Sequence, residues 1–136
     1  MNLTSIYVKK LRNSGLRPTK QRIKICEVLF DSEKTFHFSI NDLSNIINNK
    51  SSQKISLATI YNTVHAFKDA GHLSEVEVRG KKTYFDTNIT NHHHFYDSET
   101  SELIDIDAND VVIQKIPKAP NGKKIKNVEV FINLKN

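Results

Sequence analysis

Three consecutive histidines stand in the stretch NHHHFYD at residues 91–97, half of the six in the chain. Neutral imidazole is the commonest protein ligand for borderline transition metals. On a strand, alternate side chains share a face, so His92 and His94 project together and His93 projects away. Two imidazoles on one face can grip one ion. A polar, exposed strand end would carry the same residues with no ligand at all, and the tract alone leaves both readings open.

A second set of residues has the chemistry to read nucleic acid. Residues 56–71, SLATIYNTVHAFKDAG, pattern as a helix with Ser56 as its cap and Gly71 as its stop. With Leu57, Ile60, Val64 and Phe67 turned inward, the outer face holds Thr59, Asn62, Thr63 and Ala66, with Tyr61 and His65 at its margin. Asn bonds adenine in a bidentate pair, and Thr and Ala suit the thymine methyl. Tyr61 can pack on bases or bond a phosphate. An ordinary solvated helix face carries Thr and Asn too, so position in the fold has to decide.

The elements around these residues supply that position. Residues 3–14 pattern as a short amphipathic helix with Ile6, Val8 and Leu11 on one side. Pro18 suits the first turn of a second helix, which runs to about 31 with Ile23, Cys26, Leu29 and Phe30 on its apolar face. Segment 39–49 opens on Ser39 and carries Ile40, Leu43, Ile46 and Ile47 at helical spacing. After Gly71 the period becomes two. HLSEVEVRGKKTYFDT reads as a hairpin with a basic tip at Arg79-Gly80-Lys81, where Lys81 would meet phosphate. Helices followed by a basic hairpin give the order of a winged helix-turn-helix, in which the last core helix enters the DNA major groove. Beyond a boundary near 87–90, a strand is expected at 102–106, a helix at 108–116 and a long strand at 125–134 with Val128, Val130, Ile132 and Leu134 on one face. The fold class is therefore α+β: a winged-helix DNA-binding domain at 1–88 and a small α/β dimerisation and metal-sensing domain at 89–136. So small a rear core points to a homodimer.

Composition is consistent with this division. Residues 1–88 hold 14 Lys/Arg and 8 Asp/Glu, and residues 89–136 hold 6 and 7. A basic front half suits a polyanion such as double-stranded DNA. No apolar run approaches the ~20 residues of a membrane span, and a cytoplasmic location without membrane contact is expected. The single Cys26 rules out a zinc site built on four cysteines or on CxxC pairs.

GLRPTKQR at 15–22, SLATIYNTV at 56–64, AGHLSEV at 70–76 and YFDTNITNHHH at 84–94 resemble the ferric uptake regulator family over nearly the whole chain. The resemblance implies a dimeric, metal-dependent transcription regulator. It places Arg17 at the minor groove, with Thr19 and Arg22 in the same motif among the DNA-contacting residues, and matches Tyr61 to the family's DNA-contacting tyrosine. Asn62 departs from the Arg usual after that tyrosine, so the target sequence is expected to differ. The resemblance also implies a metal site of His37, Asp86, His92, His94 and Asp105. Three imidazoles and two carboxylates suit Fe2+, Mn2+ or Zn2+.

Asp97 and Thr100 occupy the places of a CxxC pair that many family members use for a structural zinc. That absence, with HHHFYDSETSELIDI, resembles the iron response regulator branch. The branch resemblance implies control of iron homeostasis, and a haem response resting on His92, His93 and His94. Its Cys-Pro haem motif is absent, because Cys26 is followed by Glu27. A divalent-metal or peroxide-sensing repressor of the same family is the alternative. A metal-dependent hydrolase is the third reading, and it lacks both HExxH and a poised general base; the chain is not read as an enzyme.

Overall fold

Helix ends in the first half of the chain fall where local groups can satisfy the free backbone. The computed structural model describes residues 3–50, 54–78, 80 and 82–136. Helix α1 spans Leu3–Asn13 and α2 spans Lys20–Phe30. Between them Gly15 takes φ +77°, and the amides of Gly15 and Leu16 return to the carbonyls of Arg12 and Leu11, a Schellman closure. Helix α4, Leu57–Asp69, ends the same way at Gly71, whose φ is +86°. Thr19 caps α2 by accepting the Arg22 amide at 3.2 Å. Pro18 therefore stands before the cap and not in the first turn as expected. Helix α3, Ile40–Lys50, opens on a reciprocal box: the Asp42 amide donates to Ser39 Oγ at 3.1 Å, and the Ser39 amide donates to Asp42 Oδ2 at 3.2 Å.

The contacts divide the chain into two units, Met1–Ile89 and Thr90–Asn136. In the first, α1 to α4 surround a core of Tyr7, Leu11, Ile25, Leu29, Leu43 and Ile47 with Ile60, Val64 and Phe67 of α4. Tyr7 also donates its hydroxyl to Asp31. Strands β1 (His37–Phe38), β2 (Ser74–Glu77) and β3 (Thr83–Asp86) form an antiparallel sheet in the order β1-β3-β2. The hairpin of β2 and β3 makes the wing of a winged helix-turn-helix. Arg79 and Lys81 of its basic tip lie outside the described residues.

The second unit has strands β4 (His93–Asp97), β5 (Glu102–Ile106) and β6 (Phe131–Leu134) in the order β5-β4-β6. Strand β5 runs antiparallel to β4, and β6 runs parallel to it. The chain is thus α+β, and among its described residues no helix is long and apolar enough to cross a membrane.

Several expectations are corrected. The helix at 108–116 is only a single 3₁₀ turn, Ala108–Asp110, capped by Asp107. Val111, Val112 and Ile113 are β-branched and Pro117 follows closely, so a short helix there has little to sustain it. The strand at 125–134 is regular only over Phe131–Leu134, because β4 has rungs for those residues alone, from His94↔Phe131 to Asp97↔Leu134. Ile6 and Leu57, expected inside, are 40% and 51% exposed. Tyr7 and Ile55 fill the buried positions beside them. Thr63, expected outside, is buried and donates to the Thr59 carbonyl at 2.7 Å.

The capping box gives a direct check on the first unit. Ser39→Ala should lower its unfolding free energy by about 1 kcal/mol. Urea unfolding followed by circular dichroism should show a lower midpoint at an unchanged slope.

Candidate metal centre and nucleic-acid face

In the first unit the site begins on one rung of the sheet. His37 opens β1, Asp86 closes β3, and the two are cross-strand partners. Their side chains meet with His37 Nε2 3.2 Å from Asp86 Oδ2. Asp86 is fully buried, where a carboxylate is tolerated only with partners. Its other oxygen, Oδ1, accepts the Asn88 amide at 2.8 Å. Two bonds between Phe36 and Thr87 close the end of the rung: the Phe36 amide donates to Thr87 Oγ1 at 3.0 Å, and the Thr87 amide donates to the Phe36 carbonyl at 3.2 Å.

In the second unit His92 lies just ahead of β4 and His94 lies within it, opposite Asp105 of β5. Asp105 Oδ1 is 3.2 Å from His92 Nε2 and 3.4 Å from His94 Nε2. The two ring centroids are 4.6 Å apart. The Thr90 carbonyl lies 2.6 Å from His92 Nδ1. A carbonyl only accepts, so Nδ1 carries the hydrogen. In the neutral ring that tautomer aims the Nε2 lone pair at a carboxylate oxygen. Two acceptors facing one another repel unless a proton or a shared cation stands between them. Donors about 2.1 Å from a metal ion lie roughly 3.0 Å apart in an octahedral sphere and 3.4 Å apart in a tetrahedral one. The two spacings from Asp105 Oδ1 match that range, so these residues suit a divalent ion.

His93 has a different task. It is 5% exposed, and its Nδ1 accepts the Val130 amide at 3.0 Å. The Val130 carbonyl in turn accepts the His94 amide at 3.1 Å. His93 thus fastens the approach to β6 against β4, and its Nδ1 lone pair is spent on that bond. The sequence suggested only that His93 points away. The residue that occupies it, Val130, is distant in the chain and carried no signal. Cys26 is no donor either: burial in the first unit's core pushes its thiol up to about 12, so it stays protonated.

The residues expected to meet DNA take unequal positions. Tyr61 and Asn62 are exposed on α4. Arg17 is exposed in the turn before α2, and its carbonyl accepts from the Arg22 guanidinium at 2.9 Å. Thr19 is occupied as a cap. Thr59 is half-buried in the first turn of α4, where its Oγ1 accepts from Ser56 Oγ at 2.9 Å. Lys81 lies outside the described residues. Its neighbour Lys82, which the sequence reading passed over, reaches to 3.9 Å from Asp42.

Comparison with known proteins joins these observations. The model of the ferric uptake regulator family matches residues 13–134. A ferric uptake regulation protein of Yersinia pestis is 36% identical over 85 residues, which are 62% of this chain and 56% of that protein. A peroxide-responsive repressor of Staphylococcus epidermidis is 32% identical over 98 residues, 72% of this chain and 63% of that one. The matched stretches therefore span less than two thirds of either relative. The ferric uptake regulator of Vibrio cholerae shares the fold, with a TM-score of 0.69 at 22% identity over 95% of this chain and 98% of that one.

The three histidines should separate by mutation. His92→Ala and His94→Ala should each lower Mn(II) affinity sharply in a calorimetric titration. His93→Ala should leave that affinity within about twofold, yet destabilise the protein by about 1–3 kcal/mol, because the half-buried Val130 amide loses its acceptor. Equal loss of metal in all three variants would refute the division of roles.

Proposed function

The chain belongs to the ferric uptake regulator family, and from that premise we propose that it is a metal-dependent DNA-binding transcription regulator of metal homeostasis, working as a homodimer. The observation that carries the metal dependence is the convergence of His92 Nε2 and His94 Nε2 on one Asp105 oxygen, at 3.2 and 3.4 Å. We assign His37, Asp86, His92, His94 and Asp105 to one ion. Each unit holds a His–Asp arrangement at ligand spacing, and Asp86 and His92 are six positions apart, within about 21 Å by chain length alone. The all-nitrogen-and-oxygen donor set suits Fe2+, Mn2+ or Zn2+. When bound, the ion supplies positive charge that reconciles two carboxylates and three imidazoles. The rest belongs to the protein: β1 and β3 hold two donors, β4 and β5 hold the others, and their closure on one ion would set the wing unit relative to the unit that dimerises.

DNA binding rests on α4 and the turn before α2. Tyr61 and Asn62 are exposed on the helix that a winged fold presents to the major groove, and Arg17 is exposed in the neighbouring turn. Thr19 and Arg22 support that turn from within. Dimerisation rests on the second unit, which leaves Ile104, Val112, Ile113, Ile116 and Ile132 between 40% and 83% exposed. Exposed apolar side chains such as these can be covered by a second copy about a two-fold axis, and a two-fold pair reads a two-fold operator.

The effector divides two readings. Iron responsiveness follows the resemblance to the iron response branch and the relative from Yersinia pestis. Peroxide sensing follows the repressor from Staphylococcus epidermidis, with His37 and His92 as the ligands an oxidant would mark. The haem refinement has no support from the geometry: His92, His93 and His94 are 9%, 5% and 1% exposed, and each already meets Asp105 or Val130.

Three measurements bear on this. Chelator-treated protein should bind duplex DNA weakly, and Mn(II) should restore tight binding to a duplex selected from a random pool. Tyr61→Ala and Arg17→Ala should each weaken that binding by about 1–3 kcal/mol. Ile132→Asp should shift the protein from dimer to monomer in light scattering. Peroxide added to the Fe(II) protein distinguishes the effectors by mass spectrometry: added oxygen on peptides holding His37 or His92 selects the peroxide reading, and unmodified peptides select the iron one.

A further inference from the structure

On α4, His65 follows Tyr61 by four positions, so the two share a helix face. Their ring centroids lie 4.1 Å apart at 38°. His65 also meets Phe85 of β3 in an edge-on contact, 5.4 Å at 81°, a favoured aromatic geometry. Phe85 cannot yield. It is 1% exposed and stacks on Phe38 of β1 at 5.8 Å and 27°. Tyr61, in contrast, is 51% exposed; all three rings line an open cavity of about 500 Å³, and His65 is the ring packed against Tyr61.

The register of the sheet connects this stack to the metal donors of the same unit. Phe38 pairs with Phe85, and on the next rung His37 pairs with Asp86. Neighbouring residues of a strand point to opposite faces. Two adjacent rungs therefore carry aromatic anchors on one face and donors on the other. A displacement of the His37–Asp86 rung is passed to Phe85 through a single peptide unit, and from Phe85 to His65 by direct packing.

We propose that His65 is a positioning residue: it holds the Tyr61 ring in its DNA-reading orientation and links that ring, through Phe85, to the rung that carries His37 and Asp86. A side chain held in place before binding loses less freedom on binding. Coupling between distant sites needs such a contiguous element, and it is established only by measuring coupling. The inference rests on the assignment of Tyr61 as a DNA contact, and the test separates the two.

Affinity for the selected duplex is measured with and without Mn(II) for Tyr61→Ala, His65→Ala, His65→Phe and the Tyr61→Ala/His65→Ala double variant, alongside thermal melting. His65→Ala should weaken the Mn(II)-dependent binding roughly two- to tenfold and reduce the gain on adding Mn(II), with melting little changed. His65→Phe, which keeps a flat ring without the ring nitrogens, should restore most of both. The double variant should bind no worse than Tyr61→Ala alone, because His65 acts through that ring. Additive losses, or a His65→Phe variant as weak as His65→Ala, would show that His65 touches DNA itself and overturn the proposal. Undiminished binding by His65→Ala beside a weak Tyr61→Ala also overturns it. Undiminished binding by Tyr61→Ala overturns instead the assignment on which it rests.

Discussion

A carboxylate removed from water costs on the order of several kcal/mol unless its charge is answered, and Asp86 stands fully buried at the end of β3. Much of the first unit's local design follows from that demand. β1 is only two residues long, yet it brings His37 to one oxygen, while the turn into Asn88 brings an amide to the other. The exchange between Phe36 and Thr87 keeps the short strand in register. The hydrophobic side of the same strands, Phe38 and Phe85, is joined to the helical core. A buried acid and a buried aromatic pair are thus fixed by the same two rungs, and neither can shift alone.

The second unit solves a different problem with few apolar residues. Tyr96, Leu103 and Ile106 are its buried hydrophobics, too few to hold three strands firmly. Polar groups do much of the fastening. His93 secures the entry to β6, and His94 combines a backbone bond to Val130 with a stack on Phe131 at 5.7 Å. The three adjacent histidines therefore do three different jobs. His92 is set by a tautomer, His93 is a structural acceptor, and His94 bridges strand packing and the carboxylate of Asp105.

What the sequence made legible follows the range of each signal. The helices of the first unit show caps and glycine stops next to the apolar periods they end, and Ser39, Ser56, Gly15 and Gly71 mark boundaries within a few residues of themselves. The hairpin showed its change of period. The grouping of His92 and His94 followed from strand alternation, and their pairing with Asp105 from resemblance. The failures lie where partners are remote or absent. Val128 and Val130 alternate as a strand should, but β4 offers them no rung. The run 108–116 has an apolar period but no surface within its unit to bury it. Thr63 looked like a solvent-facing polar residue because its hydrogen bond goes to its own helix. His93 could not be assigned without knowing that Val130 would come to lie beside it.

The parallel pairing of β6 with β4 has a further consequence. Strand β4 lies between β5 and β6, so residues 107–130 must cross the end of β4, from Ile106 on the His93 rung to Phe131 on the His94 rung. The entropy of closing such a path grows only with the logarithm of its length, by about 0.6 kcal/mol for each doubling. Most of its residues between 112 and 127 are exposed, and they include Pro117, Pro120 and Gly122. The sheet is consequently indifferent to how long this connection is, provided Phe131 still reaches its rung beside His94. A reporter peptide spliced in near Asn121-Gly122 would add path without altering what the strands must find, which makes that turn a practical port for labelling.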